Sequence, residues 1–116
     1  METCLTNSLR RPILGQFVKV AKLADIPPGS LIGVDLGEQR IAIGNVDGTL
    51  YAVQSECPHM GGPLEEGFLE GTSLQCPWHA GDFNITTGEA LNPPASGILS
   101  CFKVRLQGDD VEVEAP

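Results

Sequence analysis

Two short segments concentrate the residue types that bind metals: Cys57-Pro58-His59-Met60-Gly61-Gly62 and Cys76-Pro77-Trp78-His79-Ala80-Gly81, with sixteen residues between His59 and Cys76. Two thiolates and two imidazoles complete a four-ligand set. His59 and His79 are the only histidines in the chain, and each stands in register with a cysteine. Glycines at 61, 62 and 81 let backbone N–H groups approach a metal or a bridging sulfide without a Cβ in the way. A single tetrahedral zinc is the plainest alternative, but zinc sites usually pair cysteine with cysteine and histidine with histidine. Here each pair mixes the two types, and Cys-x-His is tight for chelating one ion. One Cys and one His from each segment suit a dinuclear centre, with both cysteines on one iron and both histidines on the other. Cys–His nucleophilic catalysis would use two of the four residues and leave a matching pair idle.

The elements that must position these segments read as short strands. Phe17 to Leu23 partly alternates, and Asp25-Ile26-Pro27-Pro28-Gly29 ends it in a turn. Leu31–Leu36 and Arg40–Val46 are β-branched runs separated by Gly37-Glu38-Gln39, which reads as a hairpin. Asp47-Gly48 is a strong two-residue hairpin signal leading into Thr49–Val53. From Ser55 to about Gly97 the chain is rich in Gly and Pro, with short extended pieces expected only near Ser73-Leu74-Gln75 and Phe83-Asn84-Ile85. So long an irregular stretch needs an organiser, and all four candidate ligands fall inside it. Strands return where Phe102, Val104 and Leu106 alternate with Lys103 and Arg105, and Gly108-Asp109 turns into Val111–Glu114. The reading is an antiparallel β framework interrupted by a metal-organised subdomain at about 55–97, preceded by a tail at 1–15 without periodicity.

At 116 residues the chain fits one domain, and 14 Gly with 9 Pro favours turns over long helices. A net charge of −8 argues against nucleic acid and against anionic membrane surfaces as partners. It suits docking onto a basic patch of another protein, or plain solubility. No stretch approaches the roughly 18 apolar residues of a membrane span. Arg10-Arg11 is followed by a segment too short and interrupted for an export signal. Cysteines in register with histidines point to ligation in a reducing compartment, hence a cytoplasmic location.

Cys-x-His…Cys-x-x-His, with Pro58, Gly61, Pro77, Phe83 and the Thr87-Gly88 turn around it, resembles the Rieske [2Fe–2S] family. Within that family it is most similar to Rieske-type ferredoxins of bacterial oxygenase systems. The resemblance runs over nearly the whole chain after the tail. It implies an all-β fold of three antiparallel sheets with an inserted cluster-binding subdomain, residues 16–116 forming a single Rieske domain. It also implies one [2Fe–2S] cluster, with Cys57 and Cys76 on the buried iron and His59 and His79 on the outer one. Met60, Gly61, Gly62, Trp78, Ala80, Gly81 and Phe83 would surround it, and a third loop, Asn92-Pro93-Pro94-Ala95, would cover it. Respiratory members carry a disulfide between the loops, where this chain has Gly62 and Trp78. They also carry Ser and Tyr hydroxyls near the cluster sulfurs, where it has Gly81 and Phe83. Losing those donors predicts a potential at the low end of the Rieske range.

The implied function is a monomeric one-electron carrier from a flavin-dependent reductase to a terminal aromatic-ring oxygenase. It would have no turnover of its own and would dock on basic surfaces of both partners. The alternatives are the small Rieske subunit of a nitrite reductase-like complex and a zinc-stapled interaction module. Glu65, Glu66, Glu70 and Asp82, near the ligand segments, are expected to steer partners or to form a solvated rim; Cys4 and Cys101 read as ordinary thiols.

Overall fold

The computed structural model describes residues 17–37, 39–57, 62–78, 81–92 and 97–114. Turn chemistry sets the central sheet. Asp47 (φ 52°) and Gly48 (φ 96°) take the left-handed pair of conformations of a tight two-residue hairpin. That turn joins β3 (Gln39–Val46) to β4 (Thr49–Gln54) in a register from Val46↔Thr49 to Ile41↔Gln54. The Gly48 N–H donates to Asn45 Oδ1 at 2.7 Å. Asn45, itself buried, donates through Nδ2 to the Ile26 carbonyl at 2.6 Å, which ties the Pro27-Pro28 turn to the same sheet. β2 (Leu31–Leu36) pairs on the other side of β3, and β9 (Cys101–Phe102) on the far side of β4, giving the order β2-β3-β4-β9.

A second sheet, β1-β11-β10, joins β1 (Phe17–Lys22), β11 (Asp110–Glu114) and β10 (Val104–Gln107). β1 stops at Lys22, and Leu23–Asp25 forms a 3₁₀ turn that delivers Ile26 into the interior. Strand β3 is buried on both faces from Ile41 to Asn45. Ile41 and Ile43 pack with Val111 and Val113 of the second sheet. Ala42 packs on the opposite side, among Leu64, Leu74, Phe83 and Ile85. Gly44 shares that side: a Cβ there would stand 2.7 Å from Ile85 Cδ1 and 3.0 Å from Leu69 Cδ2. Large residues on one face and small ones on the other let a third layer approach closely.

That third layer is a four-stranded sheet, β5 (Phe68–Glu70), β6 (Ser73–Gln75), β7 (Asp82–Asn84) and β8 (Ala90–Asn92), paired in sequence order. It contains more strand than the sequence reading expected, since β5 and β8 were not foreseen and Ile85 turns rather than extends. One row runs straight across it, Leu69↔Leu74↔Phe83↔Ala90, and all four side chains join the core cluster beneath. Three-residue strands show no periodicity of their own, so this face exists only through pairing. The architecture is all-β with three antiparallel sheets, the third inserted between β4 and β9.

Candidate metal centre

Both candidate segments are hairpins closed at their cysteine. The Cys57 N–H donates to the Gly62 carbonyl at 2.9 Å, and the Cys76 N–H donates to the Gly81 carbonyl at 3.1 Å. The first grows from β4 through a short stem in which Glu56 bridges Pro63. The second joins β6 to β7. Cys57 and Cys76 are each 1% exposed and are thiols rather than disulfide halves. They share one apolar cluster with Leu64, Leu74, Phe83, Ile85 and Leu99.

The two hairpins meet at Gly62. A Cβ on that residue would lie 3.1 Å from Cys76 Sγ and 2.9 Å from Trp78 Cδ2. The end of the first loop therefore sits against the sulfur of the second, with the Trp78 ring laid alongside. Trp78 itself is 61% exposed, so the ring covers the junction from outside rather than filling a core.

Of the remaining expected site residues, Gly81 and Phe83 are buried beside this junction. His59 and His79 lie outside the described residues, as do Met60, Gly61, Ala80, Pro93 and Pro94. Asp82 and Glu65 differ from the expectation of a steering rim. The Asp82 carboxylate accepts from the Ser73 hydroxyl at 2.6 Å and from Asn92 Nδ2 at 2.8 Å. The Ser73 bond first, then Asn92, hold its pKa below the usual carboxylate range. Glu65 turns inward, its side chain only 9% exposed. Glu66 and Glu70 do face solvent. Cys101 is half-buried in β9 with its Sγ 3.5 Å from the Leu99 carbonyl, and Cys4 lies outside the described residues.

Residues 16–103 match the Rieske [2Fe-2S] domain. The chain belongs to the Rieske family. Among curated Rieske relatives, the biphenyl dioxygenase ferredoxin subunit of Pseudomonas sp. (strain KKS102) is 36% identical over 99 residues, covering 84% of this chain and 91% of that protein. A chain of the complex of reduced oxygenase and oxidized ferredoxin in carbazole 1,9a-dioxygenase superposes with a TM-score of 0.80 at 32% identity, over 84% of this chain and 92% of that one. The Sphingomonas yanoikuyae B1 ferredoxin superposes at 0.82 with 26% identity, over 87% of this chain and all of that one (100%). The protein is a Rieske-type ferredoxin, and its cofactor is one [2Fe–2S] cluster. The donor set fits that group. Two buried thiols in like-closed hairpins share one apolar cluster, and even one methyl group on Gly62 would press on the sulfur of Cys76.

Proposed function

We propose that this ferredoxin carries single electrons from a flavin-dependent reductase to a terminal oxygenase acting on an aromatic ring. In this reading Cys57 and Cys76 would hold one iron, and His59 and His79 the other. When bound, the cluster takes up and gives back one electron. The chain supplies the surroundings. Leu64, Leu74, Phe83, Ile85 and Leu99 keep water from the two sulfurs, Trp78 covers the junction of the loops, and His59 and His79 would pass the electron to the partner. The observation that carries this reading is the meeting of two cysteine-closed hairpins at Gly62, each with a histidine inside the loop it closes.

Several finer assignments go with it. Residues 16–116 form one Rieske domain after a tail at 1–15, with the cluster-binding subdomain at about 55–97. The protein works as a monomer in the cytoplasm and docks through its acidic surface, net charge −8, onto basic patches of reductase and oxygenase. Among the described residues no helix is long and apolar enough to cross a membrane.

Anaerobic purification followed by metal analysis and EPR of the dithionite-reduced protein tests the centre. Two irons per chain and the low average g-value of mixed Cys/His ligation are expected. A colourless protein with one zinc overturns it. Mixing the reduced form with a terminal oxygenase and its aromatic substrate tests the carrier role, with reoxidation matched to product formed as the expected result.

A further inference from the structure

We propose that Glu65 is a positioning residue for the first ligand loop: its carboxylate locks the foot of the Cys57–Gly62 hairpin to β2 and β3. The rigid base sheets, rather than the loop, then set where Cys57 is presented. The inference rests on reading Cys57 as a ligand.

The hairpin stem is a short ladder. Leu64 N–H donates to the Ser55 carbonyl at 2.8 Å, Glu56 bridges Pro63, and the Cys57 N–H closes the loop at Gly62. Glu65 lies directly below this ladder. One of its carboxylate oxygens accepts from the Ser55 hydroxyl, and the other accepts from Arg40 Nε of β3 at 3.3 Å. Arg40 is held in turn by Asp35 of β2, Nη1 to Oδ1 at 3.0 Å. Its carbonyl accepts the Ser55 N–H at 3.1 Å. Stem and base are thus joined twice at Ser55, once by backbone and once through Glu65.

Gly33 of β2 makes the room. A Cβ there would stand 2.5 Å from Glu65 Cγ and 2.9 Å from Cδ. Gly33 is absent from the residues with positive φ, so the glycine serves space and not backbone conformation. A carboxylate so nearly enclosed is costly unless paired, and its two partners come from different elements. Such a bond fixes direction, whereas the neighbouring packing of Leu64 only adds cohesion.

The test uses the cluster-loaded protein and four variants: Gly33→Ala, Glu65→Ala, the two together, and Val113→Ala in the second sheet, remote from the stem. Iron per chain, EPR g-values of the reduced form, iron loss to a chelator and thermal midpoint are measured for each. Gly33→Ala is expected to speed iron loss on the order of tenfold and to shift the g-values, because the methyl group evicts Glu65 with its chemistry intact. In the Glu65→Ala background the same methyl group is expected to add little further harm, since it then meets only the flexible end of Arg40, whose Nη2 stands 3.0 Å from the Cβ position. Val113→Ala is expected to lower the thermal midpoint and leave the g-values unchanged. Simple additivity of Gly33→Ala and Glu65→Ala, or g-values unmoved while iron loss merely follows the thermal midpoint, would overturn the lock. A wild-type protein lacking the mixed-ligand signal would overturn the ligand reading, and the lock with it.

Discussion

At Gly62 a single hydrogen stands where any side chain would meet both Trp78 and the Cys76 sulfur. The Trp78 ring, largely in solvent, can swing away, while the sulfur, 1% exposed, has nowhere to go. Gly62→Ala is therefore expected to cost about 1–3 kcal/mol through overpacking and to lower iron content. It should also alter the emission of Trp78, the only tryptophan in the chain. Full iron loading with unchanged fluorescence would contradict this. Hydroxyls matter at the same scale. Gly81 and Phe83, buried beside the cysteines, offer no O–H donor to cluster sulfur, so the reduced state gains no stabilisation from them. Protein-film voltammetry is expected to give a midpoint on the order of −150 mV, and a value above zero would refute the argument. The second prediction was legible in residue identity, because side-chain chemistry is a local property, whereas the first needed the tertiary contact at Gly62.

Among the elements, the β7–β8 edge has its own tie. Asp82 links Ser73 of β6 to Asn92 of β8, and Asn92 is the last residue before the proline segment at 93–96. The folded-state pKa of Asp82 is depressed by these bonds, below the unfolded value of about 3.9. The ionised group therefore contributes stability at every pH above that unfolded value, and the contribution fades as pH falls through the folded pKa. Calorimetric scans of wild type and Asp82→Asn are expected to show a wild-type advantage that is full at about pH 6 and shrinks below about pH 4. A gap independent of pH would mean that ionisation of Asp82 contributes nothing to stability. The sequence alone offered Asp82 as a partner-steering or solvated-rim carboxylate, since the strand register that brings Ser73 and Asn92 to it is invisible in a three-residue strand.

Taken as a whole molecule, the protein carries a net charge of −8, yet not all its carboxylates face outward. Glu65 belongs to the base and Asp82 to a sheet edge, which leaves Glu56, Glu66 and Glu70 as exposed acids around the loop stem and the third sheet. Electron transfer with a basic-faced partner is expected to slow about tenfold or more as ionic strength rises from about 0.01 to 0.15 M and the Debye length falls from ~30 to ~8 Å. Glu66→Lys with Glu70→Lys should flatten that dependence in stopped-flow measurements. A salt-independent rate for the wild type would remove steering from the account.

Residue types and spacing by themselves suggested the ligand set and determined the Asp47-Gly48 hairpin, the strand runs of β2 to β4, the turn into β11 and the acidic balance. Each of these depends on neighbours a few positions apart, or on none. Tertiary structure alone decided the inner row from Leu69 to Ala90, the two-faced role of β3, the meeting of the loops at Gly62, and the inward turn of Glu65. These depend on residues brought together from distant points of the chain, as Arg40 and Glu65 are across twenty-five positions. No local pattern can encode a partner that only the closed path of the backbone supplies.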